Sequence, residues 1–423
     1  MGRQPVSLRK YGIDPSPEFL LVLYCARTAP DSEIQASLAG LAKQITDWDY
    51  VFHFAEEQGV LLFLLHNLYR TVCAPLPQTL LTSVRRRYAS RSQSLLVQLR
   101  EVTSLLAVHG IRAISYKGPT LATIVYPHCN LRVSSDLDLL VHASDYRNAS
   151  KVLLDQGYLA AEDCGYKCHL WHPIKRTDVD LHRALAPRWY QFRFNFDRAW
   201  ERAVRLTIPN GGVTVTFGLE DLLIVLCVDL VKDIAQPWNF RLVKLTDIAE
   251  LIDNIEHINV SALIDRAKSI GLSRITLFGL LLTDRIHSVS LPAVIQEQIQ
   301  LYSPRLHKLV DLTMRLMLDE KSSKRQPTPK FPHEVRTILN LQDNLWQKLC
   351  VIALYMVRPV MLISKYGFAR VTKFFQAFWW IKERARLCEA GRFTKPIRRK
   401  PEARSSAEVK LNTDIGLRSK NTS

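Results

Sequence analysis

Leu131-Arg132-Val133-Ser134-Ser135-Asp136-Leu137-Asp138-Leu139-Leu140-Val141 sets two carboxylates into an otherwise apolar run. On a strand, residues i and i+2 point to the same face. Asp136 and Asp138 are therefore held side by side on a rigid element. Alone they repel, and one pKa rises. A divalent cation removes the conflict, because Mg²⁺ binds through one or two carboxylates plus substrate phosphates. The competing reading is two solvent-facing acids on an edge strand.

Outward from this run, the same alternation returns at Thr177-Asp178-Val179-Asp180-Leu181-His182. If the two strands are neighbours, an acid of the second completes a three-carboxylate site. Asp180, flanked by Val179 and Leu181, is the candidate, and Asp178 is expected to face solvent. His182 either positions that carboxylate or the acceptor, or is a neutral packed histidine. Upstream, Tyr116-Lys117-Gly118-Pro119-Thr120 ends a short strand predicted over Ile111–Tyr116.

Around this block the period changes. Residues 17–108 read as helical, with Asp47 or Asp49 as an N-cap before VFHFAEEQGVLLFLLHNLYR. Short apolar runs and turns follow to about 217. They include a helix over 144–156 closed by Gly157, strands at Tyr166–Trp171 and Asp178–His182, and a hairpin around Pro209-Asn210-Gly211-Gly212. From Leu219 helices are expected at 219–234, 241–254, 260–270, 273–286, 293–301 and 305–317. A basic, Pro-rich linker spans 322–334, and a last helical block runs from about 342 to 388. The resulting expectation is an α+β fold: a small mixed-sheet core over 109–217, between helical regions 1–108 and 218–388, with a basic, disordered tail over 389–423.

Composition sets wide bounds. The chain has 423 residues, 47% hydrophobic and 23% charged, which excludes wholesale disorder. The formal net charge is +17. Twelve Lys/Arg and five Asp/Glu fall in residues 381–423, so an anionic partner is one expectation for the tail. Eight cysteines, most of them isolated in apolar stretches, are unlike a secreted disulfide framework. The N-terminus has no signal-peptide core, and Val6 breaks the myristoylation pattern. The longest apolar run, Leu349–Ile363, contains Arg358 and Pro359 and is too short for a transmembrane span. A soluble, cytoplasmic protein is expected.

The order Tyr116-Lys117-Gly118, Arg132, Asp136-Leu137-Asp138 and Asp180-Leu181-His182 resembles the polymerase-beta-like nucleotidyltransferase superfamily. It is closest to a bacterial nucleotidyltransferase family with Lys-Gly ahead of the Asp-x-Asp strand. The likeness extends over roughly 17–365, through Asp47-Trp48, Leu219-Glu220-Asp221-Leu222-Leu223 and Leu245-Thr246-Asp247-Ile248-Ala249. Two places depart from it. Gly118-Pro119-Thr120 stands where many members have Gly-Ser, and Asp229 stands where the related family often has His.

The resemblance implies Mg²⁺ (or Mn²⁺) held by Asp136, Asp138 and Asp180, and a nucleoside triphosphate whose phosphates meet Lys117, Gly118, Thr120 and Arg132. It implies transfer of a nucleoside monophosphate to a hydroxyl of an unknown acceptor: a small molecule, a protein or an RNA end. Lys117 and Arg132 also read as ordinary surface cations, and Thr120 as a helix cap. Two other function classes stand beside transfer. One is a non-catalytic nucleotide- or partner-binding regulator on the same fold. The other is an RNA-binding protein acting through its basic tail.

Two motifs lie outside this set. Cys164-x-x-x-Cys168-His169-x-x-His172 has zinc-ligand residue types, but Cys168 and His169 would face opposite sides of a strand. The basic, aromatic segment Phe374–Arg386 reads as a packing helix, a partner or membrane-surface helix, or a nucleic-acid contact.

Overall fold

The computed structural model describes residues 14–30, 32–71, 78–209, 212–235, 240–253, 255–318, 337–345 and 347–352. The expectations for the Pro-rich linker, the Phe374–Arg386 segment and the tail fall outside these residues.

Five helices come first: α1 (Pro17–Tyr24), α2 (Ser32–Ala42), α3 (Trp48–Glu57), α4 (Leu61–Thr71) and the 31-residue α5 (Gln78–Val108). Asp47 caps α3, its side chain accepting from the Tyr50 amide at 2.8 Å. The α+β core follows. Its strands are β1 (Ala113–Ser115), β2 (Asp136–Val141), β3 (Leu159–Asp163), β4 (Lys167–His172) and β5 (Thr177–His182). They form one mixed sheet in the order β1-β2-β5-β4-β3. Only β2 and β5 pair in parallel, and the other neighbours are antiparallel. β2 therefore has a neighbour on each side and is not an edge strand.

Helix α6 (Gly118–Val125) follows β1, and α7 (Tyr146–Asp155) follows β2. After β5 come α8 (Phe196–Glu201) and a separate hairpin of β6 (Val204–Ile208) and β7 (Gly212–Thr216). Six further helices follow: α9 (Leu219–Ala235), α10 (Val243–Asp253), α11 (Val260–Ile270), α12 (Ser273–His287), α13 (Ala293–Leu301) and α14 (Ser303–Leu318), and helical residues recur at 337–340 and 347–352.

Strand alternation assigns the two faces of the sheet. Leu137, Leu139 and Val141 of β2, with Val179 and Leu181 of β5, point to one face. They pack with Leu99 and Leu106 of α5 and with Ala149 and Leu153 of α7. Asp136 and Asp138 point to the opposite face, beside Asp178 and Asp180 in register. Further along that face Leu140 enters a second core cluster. This cluster runs from Phe63 of α4 through Tyr116 to Leu222 of α9, Leu245 of α10 and Phe278 of α12. The three sections expected from the sequence thus share a hydrophobic core.

The strand β3 and the helix α8 were not among the expected elements. Every residue of β3 is exposed, so it carries no apolar alternation. α8 has six residues, fewer than two helical turns.

One backbone position is tightly constrained. Gly118 has φ +55°, and a Cβ there would lie 2.6 Å from the Asp136 carbonyl oxygen. The left-handed conformation alone costs a non-glycine residue about 1–2 kcal/mol, and the clash is with backbone. Gly118→Ala should therefore lower stability by more than about 2 kcal/mol. Urea unfolding measures this; an unchanged midpoint would contradict it.

Candidate active site

Parallel pairing of β2 and β5 puts Asp138 opposite Asp180 and Leu140 opposite His182. Asp138 (4% exposed), Asp180 (6%) and His182 (1%) are all buried. One ligand atom from each lies within 4.8 Å of the other two. Among the described residues this is the only group of three or more His, Cys, Asp or Glu side chains that could hold a metal ion. Asp136, half-buried, stands one alternation further along β2 and is not in this trio. Asp136 lines the same cleft, and His182, the accessory candidate of the sequence, stands within the trio.

The cleft has a volume of about 840 Å³. Lys117 forms part of its wall, at the N-cap of α6, and Lys167 enters from β4. Lys117 Nζ lies 3.4 Å from Asp138 Oδ1 and 2.7 Å from Asp229 Oδ1. Lys167 pairs with Asp180, and His169 Nδ1 lies 3.0 Å from Asp180 Oδ1. The other His169 nitrogen is 2.9 Å from Asp178 Oδ1. This corrects the expectation that Asp178 faces solvent. Two residues apart on one strand, Asp178 and Asp180 must share a face, and a histidine of β4 bridges them.

The electrostatics separate the two acids of β2. Burial and the charges of Asp138 and Asp180 push the Asp136 carboxyl up to about 6. Burial would also raise Asp138, but Lys117 and the His182 hydrogen bond outweigh it and hold that carboxyl below its ordinary value. Burial pushes His182 below its ordinary value, against the pull of Asp138, so the ring is neutral at pH 7. Its Nε2 lies 3.2 Å from Asp138 Oδ1, and its Nδ1 is buried with no hydrogen-bond partner among the described residues.

The Asp136 shift has a definite sign. A carboxyl whose folded pKa is raised binds its proton more tightly in the folded state, so its ionisation destabilises the fold as pH rises from about 4 to about 6. Asp136→Asn removes that charge. In metal-free buffer the variant should be the more stable protein at pH 7.5, by about 1–3 kcal/mol. The gap should close below about pH 4. Thermal unfolding of both proteins at the two pH values tests this.

Part of the cleft wall was not foreseen. Asp229, on α9, is 6% exposed and carries three ammonium groups. Besides Lys117, Lys232 Nζ is 3.0 Å from Oδ1 and Lys244 Nζ is 2.8 Å from Oδ2. Lys244 also reaches Asp233 Oδ2 at 2.6 Å. Against the cost of burial, Lys117, Lys244 and Lys232 hold the Asp229 carboxyl well below its ordinary range. Lys232 shifts the other way. Burial and the charges of Lys117 and Lys244 outweigh the help it receives from Asp229 and lower its pKa. Asp229 interrupts the apolar run Leu222–Val231, the same signal that singled out Asp136 and Asp138.

Two residues expected at the phosphates are differently engaged. Thr120 is fully buried, hydrogen-bonded to Ser115 and absent from the cleft lining. Arg132 lines the cleft, but its Nε and Nη2 donate to the two oxygens of buried Asp247, at 2.8 and 2.9 Å. Its Nη1 donates to Ser134 Oγ. The Cys/His motif is not gathered into a site. Cys168 is on the core face, His169 is on Asp178 and Asp180, Cys164 is exposed, and the His172 ring packs on Tyr158.

A family model described as an uncharacterised nucleotidyltransferase matches residues 44–287, more than half of the chain. Among solved structures, the chain is similar to an antigenic nucleotidyltransferase-like protein from Paracoccidioides brasiliensis. The identity is 15%, the alignment covers 48% of this chain and 97% of that one, and the TM-score is 0.28. No curated protein matches. No helix among the described residues is long and apolar enough to cross a membrane.

Proposed function

Because the chain belongs to the uncharacterised nucleotidyltransferase family, we propose that it transfers a nucleoside monophosphate from a nucleoside triphosphate to an acceptor hydroxyl at the β2–β5 cleft. The observation that carries this reading is the parallel register that sets Asp138 beside Asp180, opposite a wall with three lysines on one carboxylate.

The donor set fits a hard divalent cation. Carboxylate oxygens suit Mg²⁺ and Mn²⁺, and an imidazole is compatible with Mn²⁺. The raised Asp136 carboxyl and the partnerless His182 Nδ1 mark a local excess of acceptors, which a bound cation would balance. Asp138 and Asp180, with Asp136 or His182, would hold it. When bound, such a cation supplies Lewis-acid stabilisation of the attacking and leaving oxygens.

The protein's own groups do the rest. Lys117, Lys232 and Lys244 offer fixed positive charge to the triphosphate. An added anion would favour the charged form of Lys232, offsetting the burial and the neighbouring lysines that lower its pKa. The close packing of Gly118 on the Asp136 carbonyl keeps the phosphate-side turn against the acid strand. His182 donates to Asp138 and holds that carboxylate aimed at the cleft. Arg132, tied to Asp247, fastens the segment before β2 to α10 and braces the cleft wall.

The test is incubation of the full chain with each of the four labelled nucleoside triphosphates, Mg²⁺ or Mn²⁺, and a cell extract. Pyrophosphate and a labelled product are expected with at least one nucleotide. No pyrophosphate above the level of Asp138→Asn, with any of the four, would overturn the reading. Saturable nucleotide binding without turnover would instead favour the regulatory alternative.

A further inference from the structure

A second cleft, of about 440 Å³, lies among the loop after β5, α8, α9 and α11. That volume is in the range of small-molecule sites. Its floor is apolar: Leu185, Ile224 and Val225 are buried, and Phe194 and Ile270 are half-buried. Four guanidiniums stand around this floor, from Arg193, Arg198, Arg202 and Arg266, against one lining acid, Asp221.

Asp221 is buried and fixes two of the four. It accepts from Arg202 Nε at 2.7 Å and Nη2 at 3.1 Å, and lies 3.5 Å from Arg266 Nη1. Arg266 Nη1 also donates to Glu220 at 3.0 Å. The Arg202 Nη1 group and the guanidiniums of Arg193 and Arg198 have no partner among the described residues. Guanidinium forks recognise carboxylate and phosphate oxygens by paired N–H donors. An apolar floor with a few convergent polar groups is the usual build of a small-ligand pocket.

We propose that this cleft binds a small organic anion, a phosphate or carboxylate group carried on an apolar body. The two oriented forks and the two free guanidiniums take the charged group, and the floor of Leu185, Phe194, Ile224, Val225 and Ile270 takes the apolar one. The inference does not rest on nucleotidyl transfer. The two clefts share no lining residue; Leu185 of this one accepts through its carbonyl from Lys232 Nζ of the other at 3.1 Å.

Isothermal titration of the full chain with phenyl phosphate, benzoate, inorganic phosphate and benzyl alcohol tests this. At least one aromatic anion should bind tenfold or more tightly than both inorganic phosphate and neutral benzyl alcohol. Whether phenyl phosphate or benzoate binds tighter identifies the charged group. The double variant Arg193→Gln/Arg198→Gln should weaken that binding at least tenfold. Both residues are exposed and their guanidiniums make no hydrogen bond or ion pair among the described residues, so the variant's thermal midpoint should match the wild type. Ser269→Trp, on the rim from α11, should weaken binding as much by filling the cleft without removing charge. Lys244→Gln, in the other cleft, should leave it unchanged. The proposal is overturned if no probe binds, if the neutral probe or inorganic phosphate binds as well as the aromatic anions, if either cleft variant retains binding, or if Lys244→Gln loses it.

Discussion

Asp138→Asn should yield a folded protein whose pyrophosphate release falls by on the order of 10³-fold or more. Asn keeps the shape of the side chain, and its oxygen still accepts from His182 Nε2. Lys117 keeps Asp229 as its partner at 2.7 Å. What disappears is one unit of negative charge from the buried trio of Asp138, Asp180 and His182. Circular dichroism should be unchanged while the labelled product vanishes. Near-normal turnover in this variant would remove Asp138 from the chemistry and leave the acid pair as a structural feature of the sheet.

The second large effect is expected on stability. Asp229→Asn leaves three half-buried ammonium groups without their shared, buried carboxylate. Breaking a buried ion pair from one side costs about 3–5 kcal/mol; here Lys232 loses its carboxylate, while Lys117 keeps Asp138 and Lys244 keeps Asp233. The depressed Asp229 carboxyl contributes stability that is fully present above its unfolded pKa near 4 and is lost as pH falls through the folded value. The gap between wild type and variant should therefore be full at pH 7 and narrow in acid. Inorganic tripolyphosphate should raise the melting temperature of the variant more than that of the wild type, since an added polyanion takes the place of the missing carboxylate. An equal rise in both would show that the lysine wall does not receive phosphate.

Much of the sheet was legible because alternation is a local signal. Asp136, Asp138 and Asp180 stand out in runs of leucine and valine, and the period of two predicts that the pairs share faces. The same rule, applied strictly, forbids the separation of Asp178 from Asp180 that flanking residues suggested. The lysine wall was harder to see. Lys232 and Lys244 follow Lys117 by more than a hundred residues, and on an amphipathic helix a polar residue reads as the solvent side. Helical period does not say which solvent side closes over a neighbour. Asp229 and Asp247 were the available clues, each an acid set between apolar residues of a helix; the first collects the lysines, the second binds Arg132 and Tyr126. Thr120 was misplaced because a hydroxyl beside Gly-Pro reads as phosphate-facing, whereas the first turn of α6 is entirely buried.

The shared core has a consequence for anyone who would cut this chain. Residues 109–217 look excisable in the sequence, but Tyr116 and Leu140 are packed in one cluster with side chains from α4, α9, α10 and α12. A fragment stopping at 217 would bare that surface and lose Asp229, Lys232 and Lys244 with it. Two halves made from separate messages would have to find each other before either owned a cleft. With a split at the loop before α9, neither piece would hold both the acids of the sheet and the lysines of α9 and α10.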